Sequence, residues 1–297
     1  MKNRTLWKDT DGNSIQAHGG MILHHNNRYY WYGENKDTDT INQHTDFIGI
    51  NAYSSTDLMN WDYEGIVLSP HPDPNHMLHA SKIVERPKVL FHKDTGKFIM
   101  WAHADTKDYY YAGVVIAIAD KPTGPFTYVK SIQPNRQDSR DMTLYEENGT
   151  AYLIHSSNYN KTLNIARLTP DYLDVDGSYI SILIDQEREA PAIMKAHNRY
   201  YMVTSGCSGW NPNPSLYATC SHLHGPWKLI DNPCVGPDYR TTFQGQGSYI
   251  FFHKEQPYLL IDHWHPDDLR SSCYSILPIT ITEQGDMEII WQDEITF

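Results

Sequence analysis

Pairs of short apolar runs recur five times along the chain. In each pair the first run opens on a polar residue, and the second run follows about a dozen residues later. The opening residues lie roughly 50 to 70 positions apart, and they are His18, Glu85, Asp141, Glu189 and Gln246. A period near 50 residues, with several strands in each unit, is typical of a β-propeller. The pattern therefore predicts that these five side chains begin inner strands and converge on one axial pocket.

Each unit continues with two further apolar segments, such as TLNIARL at 162–168, and these are separated by turns rich in Gly, Pro, Asp and Asn. No stretch shows a sustained apolar period of 3.6 residues, so we expect almost no helix. The sequence predicts an all-β fold. Residues 1–297 are expected to form one five-bladed β-propeller domain with four-stranded antiparallel blades around a central axial pocket.

The charge balance narrows the range of partners. The chain has 24 basic and 36 acidic residues, a net charge of -12, and is a poor candidate for binding nucleic acid or anionic membrane. No 18 apolar residues run together, and the first residues contain no secretory core. We expect a soluble protein, either cytoplasmic or exported after loss of a signal peptide. A propeller closes its own sheet edges, so we expect a monomer.

Neither the cysteines nor the histidine-rich loop indicates a metal site. The four cysteines lack CxxC spacing, so buried free thiols are expected, with a Cys207–Cys220 disulfide as the alternative. The polar insertions 35–46 and 70–82 belong to the first blade or its exit, and loops on the pocket face of such a scaffold usually shape substrate binding. The second contains three histidines at irregular spacing among Pro and Asn, which favours a solvated loop over a metal site; they are His71, His76 and His79.

The carboxylates among the opening residues are the strongest candidates for chemistry. Proline follows closely after Glu85 and Glu189, which fixes the local chain at the top of a strand. Asp141 has Asp138 and Arg140 as near neighbours in the sequence. Mutual repulsion and burial around one axis should raise the pKa of at least one carboxyl, making it a general acid near neutral pH. The alternative is that these residues only bind backbone groups at the axis.

Other side chains at strand ends are expected to bind the substrate. Carboxylates accept hydrogen bonds from sugar hydroxyls, and aromatic rings stack on the apolar face of a sugar. Packing remains the alternative for the tryptophans, and solvent exposure for Glu34. The predicted binding residues are His18, Glu34, Tyr110 (within Tyr109–Tyr111), Gly209, Trp210 and Trp264.

The motifs SRDMTLY, REAPAI, YYWYGEN and LIDHWHPDDLRSSCYSILPI, in this five-unit order, resemble glycoside hydrolase family 43. The phrases DTDGNSIQAHGG, VERPKV and SGCSGWNPN are similar to its exo-β-1,3-galactanase branch, and the resemblance spans essentially the whole chain. It implies an inverting glycosidase that releases galactose from the non-reducing end of β-1,3-galactan or related side chains. Another activity of the family stays open, namely α-L-arabinofuranosidase, β-xylosidase or galactofuranosidase.

The resemblance also implies roles for the candidate residues. Most of the family uses an Asp base at the first blade entrance, but His18-Gly-Gly stands there. The branch shares this departure and is thought to recruit a glutamine, which corresponds to Gln246, with Gln244 as a less favoured substitute. Asp141 matches the Asp that tunes pKa and orients, and Glu189 matches the general acid. Glu85 matches a further carboxylate of the sugar pocket.

The identity of the base remains open at this point. A neutral amide is a very weak base, so Gln246 could act only as an imidic tautomer or as a positioner of water. The rival assignment makes Glu85 the base, with Gln246 binding sugar. Because the usual base is missing, an inactive sugar-binding propeller is a further alternative. His263 replaces an Arg expected in the branch, which bears on the preferred leaving group. The chemistry requires no cofactor, although an axial ion such as calcium beside His18 or His263 is an alternative.

Overall fold

The computed structural model describes residues 1–297, and it confirms the all-β expectation. Twenty-one strands form five sheets, and the helical segments are three-residue 3-10 turns at 134–136, 239–241 and 269–271. None of these segments has the length and hydrophobicity of a membrane-spanning helix. The inner strand of each sheet contacts the inner strands of both neighbouring sheets, and the fifth contacts the first. The five sheets therefore surround one axis as a five-bladed β-propeller.

The strands follow one another outward from the axis within each blade. The first blade contains β1 (His18–His25), β2 (Arg28–Glu34), β3 (Ile50–Ser55) and β4 (Asp62–Leu68). The second contains β5 (Ile83–His92), β6 (Lys97–Asp105), β7 (Gly113–Ala119) and β8 (Thr127–Ile132). The third contains β9 (Met142–Glu147), β10 (Thr150–Ser157), β11 (Thr162–Leu168) and β12 (Val175–Ile182). The fourth contains β13 (Arg188–Ala196), β14 (Arg199–Gly206), β15 (Leu216–Cys220) and β16 (Lys228–Leu229).

The fifth blade differs slightly from the predicted four-stranded pattern. It contains β17 (Cys234–Val235), β18 (Gln246–His253), β19 (Gln256–His263), β20 (Cys273–Ile281) and β21 (Met287–Ile290). The two-residue β17 pairs in parallel with β21 at the outer edge, whereas the other pairs are antiparallel. Its two residues give no alternating pattern long enough to be recognised in the sequence.

The hydrophobic core is divided into five clusters, each between two adjacent blades. Met21 and Val89 belong to the cluster between the first two blades, and Trp31 packs with Tyr274 between the first and fifth. The other three clusters lie between the remaining pairs of neighbours. Burial of apolar surface thus holds the blades together side by side, and it leaves the entrances of the inner strands for polar groups.

Bulges shape the entrances of the inner strands. The register shifts after His18 in β1, after Glu85 in β5 and after Glu189 in β13. The next residue in each case has a left-handed backbone, with φ of 57° at Gly19, 56° at Arg86 and 49° at Ala190. Proline follows the last two, and it disfavours the right-handed helical region for the residue before it. A bulge bends the strand and redirects side chains, which turns Glu85 and Glu189 toward the pocket, whereas His18 stays buried.

All four cysteines are free thiols, so the Cys207–Cys220 disulfide does not form. Cys220, Cys234 and Cys273 are buried as expected. Cys207 is exposed instead, because it lies in the loop after β14 on the pocket face.

Candidate active site

A pocket of about 390 Å³ opens where the inner strands begin. Its volume lies within the range of small-molecule sites. Each of the five blades contributes residues to the pocket, either from its strands or from the loops that follow them. The lining residues are Glu34, His44, Glu85, Arg86, His103, Tyr109, Arg140, Asp141, Asn160, Glu189, Gly209, Trp210, Gln246 and Trp264.

The structure brings most of the sequence-predicted residues together. The four candidate catalytic residues all line the pocket, and so do four of the six candidate binding residues; these eight are Glu34, Glu85, Asp141, Glu189, Gly209, Trp210, Gln246 and Trp264. The convergence of side chains that lie far apart in the sequence follows from the closed ring of inner strands.

Two of the predicted binding residues lie elsewhere. Tyr110 is 88% exposed and does not line the pocket; its neighbour Tyr109 does, because the turn after β6 directs that side chain inward. His18 is fully buried below the pocket floor, where its ring stacks on Tyr274 at 4.8 Å and lies 5.5 Å from Trp264. His18 can therefore support the indole of Trp264 but does not itself reach the pocket.

Arg86 is the central cation of the site, and the sequence reasoning missed it. Its Nη2 donates to Gln246 Oε1 and forms a salt bridge of 3.0 Å with Asp141 Oδ2. Its backbone N–H donates to Glu34 Oε1 at 3.0 Å. A charged side chain on a strained, left-handed residue persists only where its surroundings fix it. Arg86 thus links the first, second, third and fifth blades at the pocket floor.

Lys88 supports this floor from below. Its side chain is fully buried, and its Nζ donates to the carbonyl oxygens of Gly19 at 2.9 Å and Arg86 at 3.3 Å. Burial, together with the neighbouring charge of Arg86, lowers the pKa of Lys88 to about 7. The amine therefore joins the bulges of the first and second blades. The signal in the sequence was a lysine inside an inner strand, in the run Glu85-Arg-Pro-Lys-Val.

Gln246 has hydrogen-bond partners on both ends of its amide. Its Oε1 accepts from Arg86 and, at 3.2 Å, from Trp264 Nε1, while its Nε2 donates to Ser205 Oγ at 2.8 Å and Glu189 Oε1 at 3.2 Å. Because guanidinium and indole groups can only donate, the amide oxygen must face them. Gln246 is therefore in the ordinary amide form, with both oxygen lone pairs engaged.

Glu189 has the properties of a proton donor. Burial, and then the negative charge of Asp141, raises the pKa of Glu189 to about 8. Asn160 Nδ2 donates to its Oε2 at 3.3 Å. A carboxyl that stays protonated at neutral pH inside a pocket can deliver a proton to a bound oxygen atom.

Glu85 has the opposite character, although it lines the same pocket. Burial by itself would raise the pKa of Glu85, but hydrogen bonding from His103 and the charge of Lys36 outweigh it and lower the pKa to about 2. His103 lies between Glu85 Oε2 at 3.3 Å and Asp105 Oδ2 at 3.2 Å. Tyr109 also donates its hydroxyl to Glu85 at 3.2 Å. Glu85 is therefore an ionised acceptor of hydrogen bonds.

Glu34 is a second acceptor beside Glu85. It is buried and forms a salt bridge of 2.8 Å with Lys36. Burial raises the pKa of Glu34, whereas the charge of Lys36 opposes this rise. The sequence left open whether Glu34 faces solvent, and the fold places it at the inner end of β2, in the pocket wall.

Two half-buried tryptophans form one wall of the pocket. Trp210 meets Trp264 edge to face, with ring centroids 5.4 Å apart. Both rings line the cavity, so they combine packing with an accessible apolar surface. Such a surface suits the C–H face of a sugar ring. His263, next to Trp264, is buried and binds Gln244 O at 3.0 Å and Ser275 Oγ at 2.7 Å, so it adds no side chain to the pocket.

No group of three or more His, Cys, Asp or Glu side chains is arranged to hold a metal ion. His71 and His76 stack on each other at 4.0 Å, and their Nδ1 atoms accept backbone N–H groups. These two rings are therefore engaged within their own loop.

Comparisons with known proteins agree with the geometry. The family model of the glycosyl hydrolases family 43 matches residues 13–273. A GH43 β-1,3-galactosidase, solved with galactodeoxynojirimycin, is 38% identical with a TM-score of 0.94 and full coverage of both chains. An exo-β-1,3-galactanase from Phanerochaete chrysosporium, solved with β-1,3-galactotriose, is 33% identical with a TM-score of 0.90; 99% of this chain and 67% of that one are covered.

A third similar structure is an exo-β-1,3-galactanase from Clostridium thermocellum. It is 34% identical with a TM-score of 0.90, and 99% of this chain and 65% of that one are covered. The present chain thus spans about two thirds of the length of these two galactanases. A search of curated proteins returned no match.

Proposed function

This chain belongs to glycoside hydrolase family 43, and we propose that it is an inverting enzyme that releases galactose from the non-reducing end of β-1,3-galactan or related side chains. The observation that carries the proposal is the pair formed by Glu189, a carboxyl with a raised pKa, and the ionised Glu85 in one pocket. The similar structures that act on β-1,3-linked galactose support the choice of sugar.

In the proposed mechanism Glu189 gives its proton to the glycosidic oxygen as the bond to the leaving sugar breaks. Water attacks the anomeric carbon from the opposite face of the ring, which inverts the configuration. Glu34 and Glu85 accept hydrogen bonds from the sugar hydroxyls, and the two tryptophans pack against the ring. Burial is the larger cause of the raised pKa of Glu189, and the negative charge of Asp141 raises it further. Asp141 also orients Arg86 through their salt bridge.

Gln246 is proposed to position the attacking water. Its nitrogen donates to Glu189 at 3.2 Å, whereas an inverting pair must leave room for sugar and water, with roughly 6.5–9.5 Å between the groups. Substrate must therefore displace this hydrogen bond and at least one donor to the amide oxygen. Catalytic hydrogen bonds often tighten or change only in the substrate complex, so this contact is compatible with the role.

The low pKa of Glu85 argues against the rival assignment as base. A carboxylate with a pKa of about 2 has little affinity for a proton at neutral pH. We therefore expect Glu85→Gln to raise KM more than it lowers kcat, since it weakens hydrogen bonds to sugar hydroxyls in both ground and transition states. Steady-state kinetics on β-1,3-galactobiose measure the split. A fall in kcat of about 10²–10⁴ with unchanged KM would instead identify Glu85 as the base.

The pH dependence of kcat/KM should report Glu189. The acid works when protonated, so activity is expected to be level through neutral pH and to fall about tenfold per pH unit above about 8. Asp141→Asn removes the negative charge that raises this pKa, so the alkaline limb should move to lower pH. Rate profiles of both proteins provide the measurement. An alkaline limb in the same place for the variant would contradict the role given to Asp141.

The proposed chemistry needs no metal or cofactor, because side chains supply the acid, the water positioner and the sugar contacts. The guanidinium of Arg86 already pairs with Asp141 at the pocket floor, so it occupies a carboxylate that a further cation such as calcium would need. We further propose that the protein acts on its oligosaccharide as a monomer, since the ring of inner strands is closed within one chain.

Proton NMR during incubation with β-1,3-galactobiose and galactotriose tests the proposed function. Early appearance of α-galactose would establish both the substrate and inversion. If a folded sample released no galactose, the galactanase proposal would be wrong. Turnover of aryl arabinofuranosides, xylosides or galactofuranosides would then indicate another activity of the family, and binding without turnover would indicate a lectin.

A further inference from the structure

An exposed tyrosine stands beside the pocket and has no part in the mechanism above. Tyr159 lies in the turn between β10 and β11, and 80% of its side chain is exposed. Its sequence neighbour Asn160 lines the pocket, and so does Arg140. The ring of Tyr159 packs against Arg140. Tyr159 therefore flanks the pocket wall of the third blade.

The turn that carries Tyr159 is strained and specifically anchored. Asn158, Tyr159 and Asn160 all have left-handed backbones, with φ of 52°, 56° and 62°. Such a run is rare outside glycine and requires compensating contacts. Asp138 supplies them, because its carboxylate accepts from Ser157 Oγ at 2.8 Å and from the backbone N–H groups of Asn158 at 2.7 Å and Tyr159 at 2.9 Å.

The ring itself is also held in place. The guanidinium of Arg140 lies 5.5 Å from the centroid of the Tyr159 ring, and Arg140 forms a salt bridge with Asp138. Stacking of a guanidinium on an aromatic ring is favourable. One face of the ring is thus backed by a cation, and most of the side chain remains open. A preorganised surface of this kind loses little entropy when a ligand packs on it.

The position of the proton donor shows which part of the substrate would meet this ring. Glu189 must lie next to the leaving oxygen, so the leaving sugar lies on the Glu189 side of the pocket. Asn160 Nδ2 donates to Glu189 Oε2 at 3.3 Å, and the backbone carbonyl oxygen of Asn160 accepts from the Cys207 thiol at 3.7 Å. Tyr159 directly precedes Asn160, which places it on that same side.

We infer that Tyr159, backed by Arg140, is a stacking platform for the sugar on the leaving-group side of the cleaved bond. The inference rests on the proposed function, because that function supplies a galactosyl leaving group. Stacking of the apolar face of a sugar on an aromatic ring makes Tyr159 a determinant of affinity for oligosaccharides.

The test compares two substrates that differ in their leaving group. Tyr159→Ala is expected to lower kcat/KM on β-1,3-galactobiose by about tenfold, the size of one aromatic stacking contact. On β-galactosyl fluoride, whose leaving group is not a sugar, the variant should stay within about twofold of the wild type. Tyr159→Phe keeps the ring and should behave like the wild type on both substrates.

Tyr179→Ala is the matched control, since Tyr179 is a 42% exposed tyrosine on the outer strand β12 of the same blade. It should leave both rates unchanged. The proposal would be overturned if Tyr159→Ala turned over galactobiose as fast as the wild type, or if it lost the same activity on both substrates. If the wild type itself left galactobiose intact, the proposed function would fail first and the platform with it.

Discussion

Glu189→Gln is expected to reduce kcat on β-1,3-galactobiose by about 10²–10⁴, with little change in KM. Glutamine keeps the shape and neutral charge of the protonated carboxyl, and its single amide oxygen can still accept from one of the two donors, Asn160 or Gln246. It has no proton to give to the leaving oxygen. The loss should therefore appear in the chemical step, as measured by steady-state kinetics beside a circular dichroism spectrum that confirms folding.

A substrate with a better leaving group sharpens this experiment. β-Galactosyl fluoride needs little proton assistance, so Glu189→Gln should lose much less activity on the fluoride than on the disaccharide. The matched control is Glu187→Gln, which makes the same residue replacement at an exposed position two residues earlier and should leave both rates unaltered. Equal losses on the two substrates would mean that Glu189 acts by some means other than donating a proton.

Gln246→Ala is expected to lower kcat by at least about 10²-fold, because the attacking water loses the group proposed to orient it. The variant also leaves Arg86 and Trp264 without one acceptor each, so part of the loss will come from their reorganisation. The alkaline limb of the pH profile, which reports Glu189, should still be present. Initial rates over a pH series provide the measurement.

Gln244→Ala supplies the control for this position. Gln244 Nε2 donates to Thr241 Oγ1 at 2.8 Å and does not line the main pocket, so the variant should retain most activity. Retention of most activity by Gln246→Ala would end the proposal for that residue. A large loss of activity in Gln244→Ala, with only a mild loss in Gln246→Ala, would mean that Gln244 positions the water in place of Gln246.

The tyrosines at 109–111 show where prediction from the sequence stopped. A run of three tyrosines at a strand end predicts that an aromatic ring reaches the pocket, but not which one. The turn after β6 gives Tyr109 a left-handed backbone, directs its hydroxyl to Glu85 and leaves Tyr110 in solvent. Side-chain direction in an irregular turn depends on local dihedrals that the residue types do not specify.

His18 illustrates the same limit on an inner strand. It opens its run as the other four polar residues do, so the repeat predicted a place in the pocket. The small residues Gly19 and Gly20 let neighbouring groups approach closely, and Gly19 N–H donates to Asp262 Oδ2 at 3.2 Å. The imidazole packs instead between Tyr274 and Trp264, below the level of the pocket.

By itself the sequence determined the strands, the five-unit repeat and the convergence of Glu85, Asp141, Glu189 and Gln246. Alternating apolar positions and turn residues are local signals, and a repeat places equivalent residues at equivalent points of a ring. The tertiary structure decided the chemistry within that ring. Opposite pKa directions for Glu85 and Glu189, and the central place of Arg86, arise from burial and charges contributed by different blades. Contacts such as Arg86 with Gln246, 160 positions apart, exist only once the propeller closes.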